Sequence, residues 1–194
     1  LLPLMVSLGF WQLSRAEEKR SIQQNAEKQQ SMPPLALEQL GADEFAGLHY
    51  RKVSFSGHWQ SQTFLLDNQV QNGKVGYHVV SLMKLDDGRF VLVNRGWVAM
   101  NPDRSRLPDI ALAASGQETG DIYMSEELMK NTPVYAEVGW PRRVQRLHLP
   151  ALSRELGVEL MPVMVRLQPD SPSALQVQWS AINMLPEKHE AYAI

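Results

Sequence analysis

The sequence contains no cysteine among its 194 residues. This absence excludes disulfides, thiolate-bound zinc or iron–sulfur clusters and thiol catalysis, and it is compatible with either the cytoplasm or the periplasm. An excess of charge of one sign is also missing, because 19 basic side chains stand against 21 acidic ones and give a net charge of −2. No global positive field is therefore available to recruit nucleic acid. The 44% hydrophobic and 21% charged residues indicate an ordinary globular protein.

The sequence also lacks an apolar run of the roughly 20 residues that a membrane-spanning helix needs. Its first nine residues, LLPLMVSLG, are almost wholly apolar, and Phe10 and Trp11 then give way to Arg15. This order suits the outer end of a transmembrane helix with Trp11 at the membrane interface. A buried core helix is the alternative interpretation. We predict that residues 1–13 are the end of a first transmembrane helix.

The residues that follow are polar and free of glycine as far as position 30. We expect the helix to continue into water as an exposed stem over residues 14–32. Pro33 and Pro34 should end it, because proline lacks the backbone N–H that a continuing helix requires. Residues 33–185 are then predicted to form one extracytoplasmic β-rich domain.

The last residues of the sequence also change abruptly, from polar to apolar side chains. Pro186 suits the first turn of a helix, and polarity falls away after His189. A fraying C-terminus is the default interpretation of such a segment taken alone. Beside the apolar N-terminus, we predict that residues 186–194 begin a second transmembrane helix.

The middle of the sequence has the period-two alternation of strands, with Val53 and Phe55 on one face. Asn72 and Gly73 are a hairpin signal, because both residues tolerate positive φ. A short helix closed by Gly157 is expected at residues 150–157. The predicted strands cover residues 50–57, 63–70, 75–85, 89–98, 118–124, 142–148, 162–168 and 175–182.

These elements predict an α+β fold. Its centre is a mainly antiparallel β-sheet or partly open barrel with a few helices, flanked by two terminal, truncated transmembrane helices. A structure that is mainly helical over residues 60–98 would contradict this fold class.

Catalytic motifs are missing as well. The sequence has no His-Glu-x-x-His zinc motif, no Gly-x-Ser-x-Gly nucleophile elbow and no glycine-rich phosphate loop. Its histidines lie far apart, at positions 49, 58, 78, 148 and 189. We therefore expect no catalytic residue and a protein that works by binding, not as an enzyme.

Each of two further stretches allows two interpretations. Residues 94–97 (NRGW) are either a strand end with a core tryptophan or a contact surface. Residues 142–146 (RRVQR) are either a solvated edge strand or a site for an anion or a lipid headgroup.

Several motifs agree in order and spacing with one family. They are LGFWQLSR at residues 8–15, YRKV at 50–53 with Gly57, GYHVV at 76–80, VLVNRGWV at 91–98 and PEKH at 186–189 with Tyr192. Together they resemble bacterial members of the surfeit-locus-one family. The motif residues that we carry over as interaction or structural positions are Trp11, Arg15, Gly57, Tyr77, Arg95, Gly96 and Trp97.

The resemblance implies an assembly factor for haem-copper cytochrome c oxidase that assists the insertion of haem a. It implies a protein of the bacterial inner membrane with its main domain on the periplasmic side. The implied partners are cytochrome c oxidase subunit 1, the proteins of haem a biosynthesis and membrane lipid, with no nucleic acid.

The resemblance also implies that His189 is an axial ligand of the haem iron, the metal position of the predicted site. Tyr192, three residues further on, would share the same helical face and line the cofactor. The rival hypothesis is a periplasmic sensory or ligand-binding module between two transmembrane helices. The sequence that follows Ile194 would discriminate the two hypotheses, because a receptor needs a cytoplasmic output domain there.

Overall fold

The structure is a computed structural model that describes residues 2–103, 105–111, 116–130 and 139–179. The chain divides into two compact units, one made of Leu1–Met32 with Trp179–Ile194 and the other of Pro33–Gln178. His189 and Tyr192 lie outside the described residues, as do the predicted second transmembrane helix and the end of the predicted strand 175–182.

The first unit contains one long helix, α1, over Leu2–Ser31. It ends just before Pro33, where the sequence predicts its end. Its apolar side chains near the start are largely exposed, at 57% for Leu8, 69% for Phe10 and 52% for Trp11. Among the helices of the described residues, none has both the length and the apolar character that a bilayer crossing requires. The structure thus does not show the flanking transmembrane helices.

The second unit holds the remaining elements. Two short 3-10 helices, Leu37–Gln39 and Ala42–Phe45, lie between the first two strands. In chain order the strands and helices are β1 (Leu35–Ala36), β2 (Lys52–Gln71), β3 (Lys74–Leu85), β4 (Phe90–Ala99), β5 (Gly116–Tyr123), α2 (Glu127–Lys130), β6 (Arg142–Val144), α3 (Leu149–Leu156) and β7 (Leu160–Leu167).

Strands β2, β3 and β4 form the antiparallel meander that the alternation predicts. Asn72 and Gly73 connect β2 to β3 with φ angles of 51° and 74°, so the predicted hairpin turn is confirmed. The α+β class with a predominantly β sheet is likewise confirmed.

The sheet is mainly antiparallel, as predicted, but some of its strand pairings are parallel. β7 pairs with β4 in parallel, and β1 and β6 each pair with β2 in parallel. β5 pairs antiparallel with both β7 and β2, so the pairing returns to β2. The second half of the long β2 continues past β5, and the result is a mixed sheet, not a clean barrel. Alternation along one strand does not specify the direction of its neighbour, which is why the sequence did not show this.

Three predictions about the strands need correction. The strands expected at 50–57 and 63–70 are parts of the single long strand β2. The strand expected at 142–148 is only the three-residue β6. Within residues 175–179, the predicted closing strand consists of one isolated bridge between Trp97 and Gln176.

Two apolar clusters lie on opposite faces of the sheet. Val93 and Val165 belong to one, whereas their chain neighbours Leu92 and Met164 belong to the other. This division follows from the alternation of side chains along a strand. The second cluster is covered by α3, which buries Leu152 completely.

The helix α3 has the predicted C-terminal glycine. The His148 Nδ1 atom accepts a hydrogen bond from the Ala151 N–H at 3.1 Å and caps its N-terminus. Gly157, at φ 66°, ends it in the left-handed region. Its start, Leu149, lies one residue before the expected one.

Candidate functional site

The motif residues carried over from the sequence fall into four groups. On α1, the Arg15 guanidinium lies 5.8 Å from the centre of the exposed Trp11 ring and 2.9 Å from Glu18. Gly57 allows β2 to approach β3 closely, because a Cβ there would lie 2.3 Å from the Lys84 carbonyl oxygen. Tyr77 is buried in a small apolar cluster with Leu65 and Val79. Arg95, Gly96 and Trp97 are the three that meet in one arrangement within the sheet domain.

That arrangement fixes residues 171–178, the irregular segment that follows β7. We call it the C-terminal clasp. It consists of five sheet residues together with the segment that they hold: Trp59, Arg95, Gly96, Trp97, Glu118 and residues 171–178.

Backbone hydrogen bonds attach the segment to the end of β4. The Leu175 N–H donates to the Arg95 carbonyl oxygen at 2.7 Å, and the Trp97 N–H donates to the Gln176 carbonyl oxygen at 2.7 Å. The Gln176 N–H returns a bond to the Trp97 carbonyl oxygen at 3.3 Å. The segment thus lies beside β4 without forming a further strand.

Buried side chains hold Ser173 at the centre of the clasp. The Arg95 Nε–H donates to the Ser173 carbonyl oxygen at 3.0 Å. Glu118, 1% exposed, accepts hydrogen bonds from the hydroxyls of Ser171 and Ser173 and from the Ser173 N–H. The Trp59 Nε1–H lies 3.1 Å from the Ser173 hydroxyl. Three strands, β2, β4 and β5, therefore bind one residue of the segment.

Burial lowers the pKa of Arg95 from its ordinary value, and the nearby charge of Glu118 opposes that shift. A second guanidinium nitrogen, Nη2, donates to the Ala111 carbonyl oxygen at 3.1 Å. The Arg95 side chain is thus engaged inside the protein and only 3% exposed. It does not present a charge on the surface.

Gly96 and Trp97 complete the clasp by close packing. Gly96 has a φ of 118°, and a Cβ there would lie 2.6 Å from the Gln176 carbonyl oxygen. Trp97 is buried, and its Nε1–H donates to the Gln69 carbonyl oxygen at 2.9 Å. Its ring covers Gly76, where a Cβ would lie 2.5 Å from a ring carbon. Of the two interpretations of residues 94–97, the structure shows a strand end with a core tryptophan.

A second polar cluster surrounds Arg166 on β7, which the sequence reasoning missed. Its guanidinium lies 4.6 Å from the centre of the Tyr123 ring and 5.4 Å from that of Tyr50. Asp121 faces it in the register of β5 and β7. The signal in the sequence was an arginine within the apolar strand β7, which gains meaning only once that strand is paired with β5 and its Asp121.

Two histidines belong to this cluster and are electrically neutral at neutral pH. Burial and the charge of Arg166 lower the pKa of His78 to about 4, and the same two causes lower the pKa of His49. The His49 Nδ1 atom accepts a hydrogen bond from the Met124 N–H at 2.9 Å. Its ring centre lies 3.7 Å from that of Tyr50.

A cleft of about 160 Å³ opens beside Tyr123. Leu128, Leu147 and Met164 supply apolar walls, and Arg146 lies at the same cleft. Arg142, by contrast, is paired with Glu155 and stacked 4.3 Å from the Trp140 ring centre. The basic stretch 142–146 is therefore divided between a structural ion pair and a cleft wall.

Within residues 2–103, 105–111, 116–130 and 139–179, no group of three or more His, Cys, Asp or Glu side chains is arranged to hold a metal ion. The predicted haem ligand His189 and its neighbour Tyr192 lie outside these ranges. The haem site therefore stays a prediction.

Comparison with known proteins gives one family. The model of the SURF1 family, the surfeit-locus-one proteins, matches residues 1–194. A SURF1-like protein of Rickettsia conorii is 31% identical over 167 residues, which cover 81% of this chain and 64% of that protein. A SURF1-like protein of Dictyostelium discoideum is 32% identical over 104 residues, covering 49% of this chain and 38% of that protein. The chain spans less than two thirds of the length of these curated relatives.

Proposed function

This chain belongs to the SURF1 family, and on that premise we propose that it is a non-catalytic assembly factor for haem-copper cytochrome c oxidase that assists haem a delivery or insertion. The observation that carries the proposal is the extent of the family match, which includes all 194 residues. The match takes in the strand motifs around Tyr77 and Arg95 and the terminal stretch with His189. The resemblance seen in the sequence is thereby confirmed at the level of the family.

We assign His189 as the residue that binds the iron of the haem cargo. A neutral imidazole is a standard axial ligand of haem iron, and the surroundings of the ligand tune its affinity. Tyr192, at i+3 on a helix, would stand on the same face and contact the apolar ring. A site at the boundary of the lipid would bury the ring and leave the propionates in water.

Two of the described histidines, His148 and His49, offer less to a haem. Both ring nitrogens of His148 are engaged, one with the Ala151 N–H and the other with the Met129 carbonyl oxygen. His49 uses its Nδ1 atom for the Met124 N–H. Arg95, a candidate partner for a propionate, is occupied inside the clasp.

The remaining parts of the proposal follow from the resemblance. The protein would be anchored in the bacterial inner membrane, with the sheet domain on the periplasmic side. Its partners would be cytochrome c oxidase subunit 1, the haem a biosynthesis proteins and membrane lipid.

The test is to purify the full-length protein from cells that make haem a, as wild type, His189→Ala and His58→Ala. His58 is a matched control, because its side chain is 71% exposed and lies on the sheet domain. We expect haem a to copurify with the wild type and the control, and to fall at least tenfold in His189→Ala. Unchanged haem content and an unchanged Soret spectrum in His189→Ala would refute the ligand assignment.

The same cells test the assembly role separately. After deletion of the resident gene, the haem a content of oxidase subunit 1 should fall, and the wild-type protein should restore it. An oxidase that contains full haem a without the protein would contradict the assembly proposal.

A further inference from the structure

The cleft beside Tyr123, which we call the Tyr123 cleft, opens onto the second apolar cluster of the sheet domain. Leu128, Leu147 and Met164 are buried members of that cluster and line the cleft. Leu66 and Tyr123, which are partly buried and pack against the same cluster, complete its apolar lining. The cleft therefore offers a place where an apolar group from outside would leave water.

The size of the cleft limits what it can hold. Its volume is about 160 Å³. Pockets for drug-sized ligands measure roughly 300–1,000 Å³, whereas an apolar cavity of about 150 Å³ is large enough for benzene. The Tyr123 cleft therefore accommodates one group of that size, such as the side chain of a leucine, methionine or phenylalanine. It is too small for a haem.

Two glutamines that line the cleft are held in place by hydrogen bonds. The Gln145 amide accepts from the Asn68 side chain at 2.8 Å and donates to the Asp67 carboxylate at 3.2 Å. Gln69 donates to the Asp67 carbonyl oxygen at 3.0 Å. Both amides keep further capacity, because each has two N–H donors and an oxygen with two lone pairs. Such fixed groups suit the alternating N–H and C=O groups of a peptide backbone, since little freedom is lost on binding.

The charged groups at the cleft favour a neutral occupant. Glu127 and Arg146 both line it, are both exposed and are opposite in sign. Arg166, against the Tyr123 ring, is likewise matched by Asp121 in the register of β5 and β7. A ligand with a single charge would be attracted by one member of each pair and repelled by the other. A peptide segment without net charge meets no such opposition.

An exposed methionine follows the cleft residue Leu128 on α2. Met129 is 46% exposed, and its carbonyl oxygen accepts a hydrogen bond from the His148 Nε2–H at 2.9 Å, which fixes this end of α2. Methionine is enriched in protein interfaces, and its flexible side chain adapts to different partners. An occupant larger than one side chain would cover this residue too, which favours a polypeptide over a small molecule.

We propose that the Tyr123 cleft is a docking site for a partner polypeptide, which inserts one large apolar side chain against Leu66, Leu128 and Met164 while Gln69 and Gln145 bind its backbone. An apolar anchor in a desolvated pocket commonly supplies most of the affinity of such an interface. This site goes beyond the proposed haem role and does not involve His189.

The test uses blocked tripeptides as probes and methyl NMR of the full-length protein labelled at its nine methionines. The Met164 signal, assigned with Met164→Leu, should shift saturably with Ac-Gly-Leu-Gly-NH2. Ac-Gly-Ala-Gly-NH2 should bind about tenfold more weakly, because it buries three fewer carbon atoms. No saturable shift with the leucine peptide, or equal affinity for the two peptides, would overturn the proposal.

A third probe tests the alternative of a small acid. The compound 4-methylpentanoate carries the same isobutyl group as leucine, but it has a carboxylate and no flanking peptide groups. We expect it to bind several-fold more weakly than the leucine peptide. Tighter binding of 4-methylpentanoate would identify a site for an amphipathic carboxylate and overturn the assignment to a polypeptide.

A variant that fills the cleft shows where the peptide binds. Ser125 lines the cleft, so Ser125→Phe places a ring in it, and Ser61→Phe is the matched control at an exposed serine of β2. The leucine peptide should no longer bind to Ser125→Phe and should bind unchanged to Ser61→Phe. Leu66→Phe fills the cleft from β2 and serves if Ser125→Phe does not fold. Unchanged binding by a folded, filled variant would overturn the proposal.

The contribution of the rim is measured with Gln69→Met, which keeps the length of the side chain and removes its amide. The affinity for the leucine peptide should fall several-fold, and an unchanged affinity would contradict the backbone contact. None of these probes depends on haem a. The outcome for the Tyr123 cleft is therefore separate from that of the His189→Ala experiment.

Discussion

Arg95 and Arg166 lie on neighbouring parallel strands, and both are buried, at 3% and 7% exposure. Arg166 is in register with Asn94, so Arg95, one residue further on, points to the opposite face of the sheet. The charge of each arginine interacts with that of a carboxylate on β5. The carboxylate is Glu118 for Arg95 and Asp121 for Arg166. The two faces of one pair of strands thus repeat the same charge pattern.

Their other partners differ. The Arg95 guanidinium donates hydrogen bonds to the carbonyl oxygens of Ser173 and Ala111, which lie outside the strands. Arg166 lies against the rings of Tyr50 and Tyr123, and its charge adds to the effect of burial, which is the larger cause of the lowered pKa of His49 and His78. A buried cation that binds carbonyl oxygens fixes the path of the chain, whereas one among aromatic rings and imidazoles makes its surroundings sensitive to pH.

The largest expected effect comes from removing the Arg95 cation. Arg95→Met should lower the free energy of unfolding by about 3–5 kcal/mol, because the buried Glu118 loses the nearby positive charge. Denaturant unfolding at pH 7 measures it. The double variant with Glu118→Gln should recover part of the loss, since no carboxylate is then left without its cation. Strictly additive losses would contradict the coupling between the two residues.

The second effect is a pH dependence on the Arg166 face. The pKa of His78 is lower in the folded protein, about 4, than its ordinary 6.5. The unfolded chain therefore binds more protons between these values. This contribution to stability is complete above pH 6.5, is lost as the pH falls towards 4, and amounts to at most about 3 kcal/mol.

Replacing His78 with Gln should flatten the decline in stability over this pH range. Unfolding free energies at pH 7, 6, 5 and 4.5 measure the slope, and His58→Gln is the control because that side chain is exposed. The dependence of unfolding free energy on pH that remains in His78→Gln arises in part from His49. An unchanged slope would show that His78 is not the group that titrates.

The smallest effect concerns the ring over Arg166. Tyr123→Leu should cost about 1–2 kcal/mol, because it removes a cation–π contact in a buried setting. Tyr123→Phe keeps the ring face and should cost less than half of that. Thermal unfolding of both variants provides the comparison. Equal losses would assign the stabilisation to the hydroxyl instead of to the ring.

The parts of this fold that could be predicted are those that local chemistry specifies. Asn72 and Gly73 adopt positive φ at little cost, so they define a hairpin without reference to the rest of the chain. Gly157 ends α3 for a similar reason. Alternation placed Val53 and Phe55 on one face, and both are buried in the same cluster.

The parts that could not be predicted depend on partners far away in sequence. The parallel pairing of β7 with β4 joins residues that no local pattern relates. Residues 175–179 have the alternation of a strand, yet the close approach of Gln176 to Gly96 and the bonds to Ser173 hold them as an irregular segment. The Arg166 cluster draws Tyr50, Tyr123 and His78 from three parts of the chain.

The meander, the long helix α1 and the family could all be predicted from the sequence, because turn chemistry, periodicity and motif order are properties of consecutive residues. The folded sheet was needed to see that Arg95 and Arg166 face opposite ways, that residues 94–97 hold the chain after β7, and that burial beside Arg166 lowers the pKa of His49 and His78. Those properties depend on which strands are paired and in which register. Register is set by the packing of the whole sheet, because a shift of one residue would exchange its two faces.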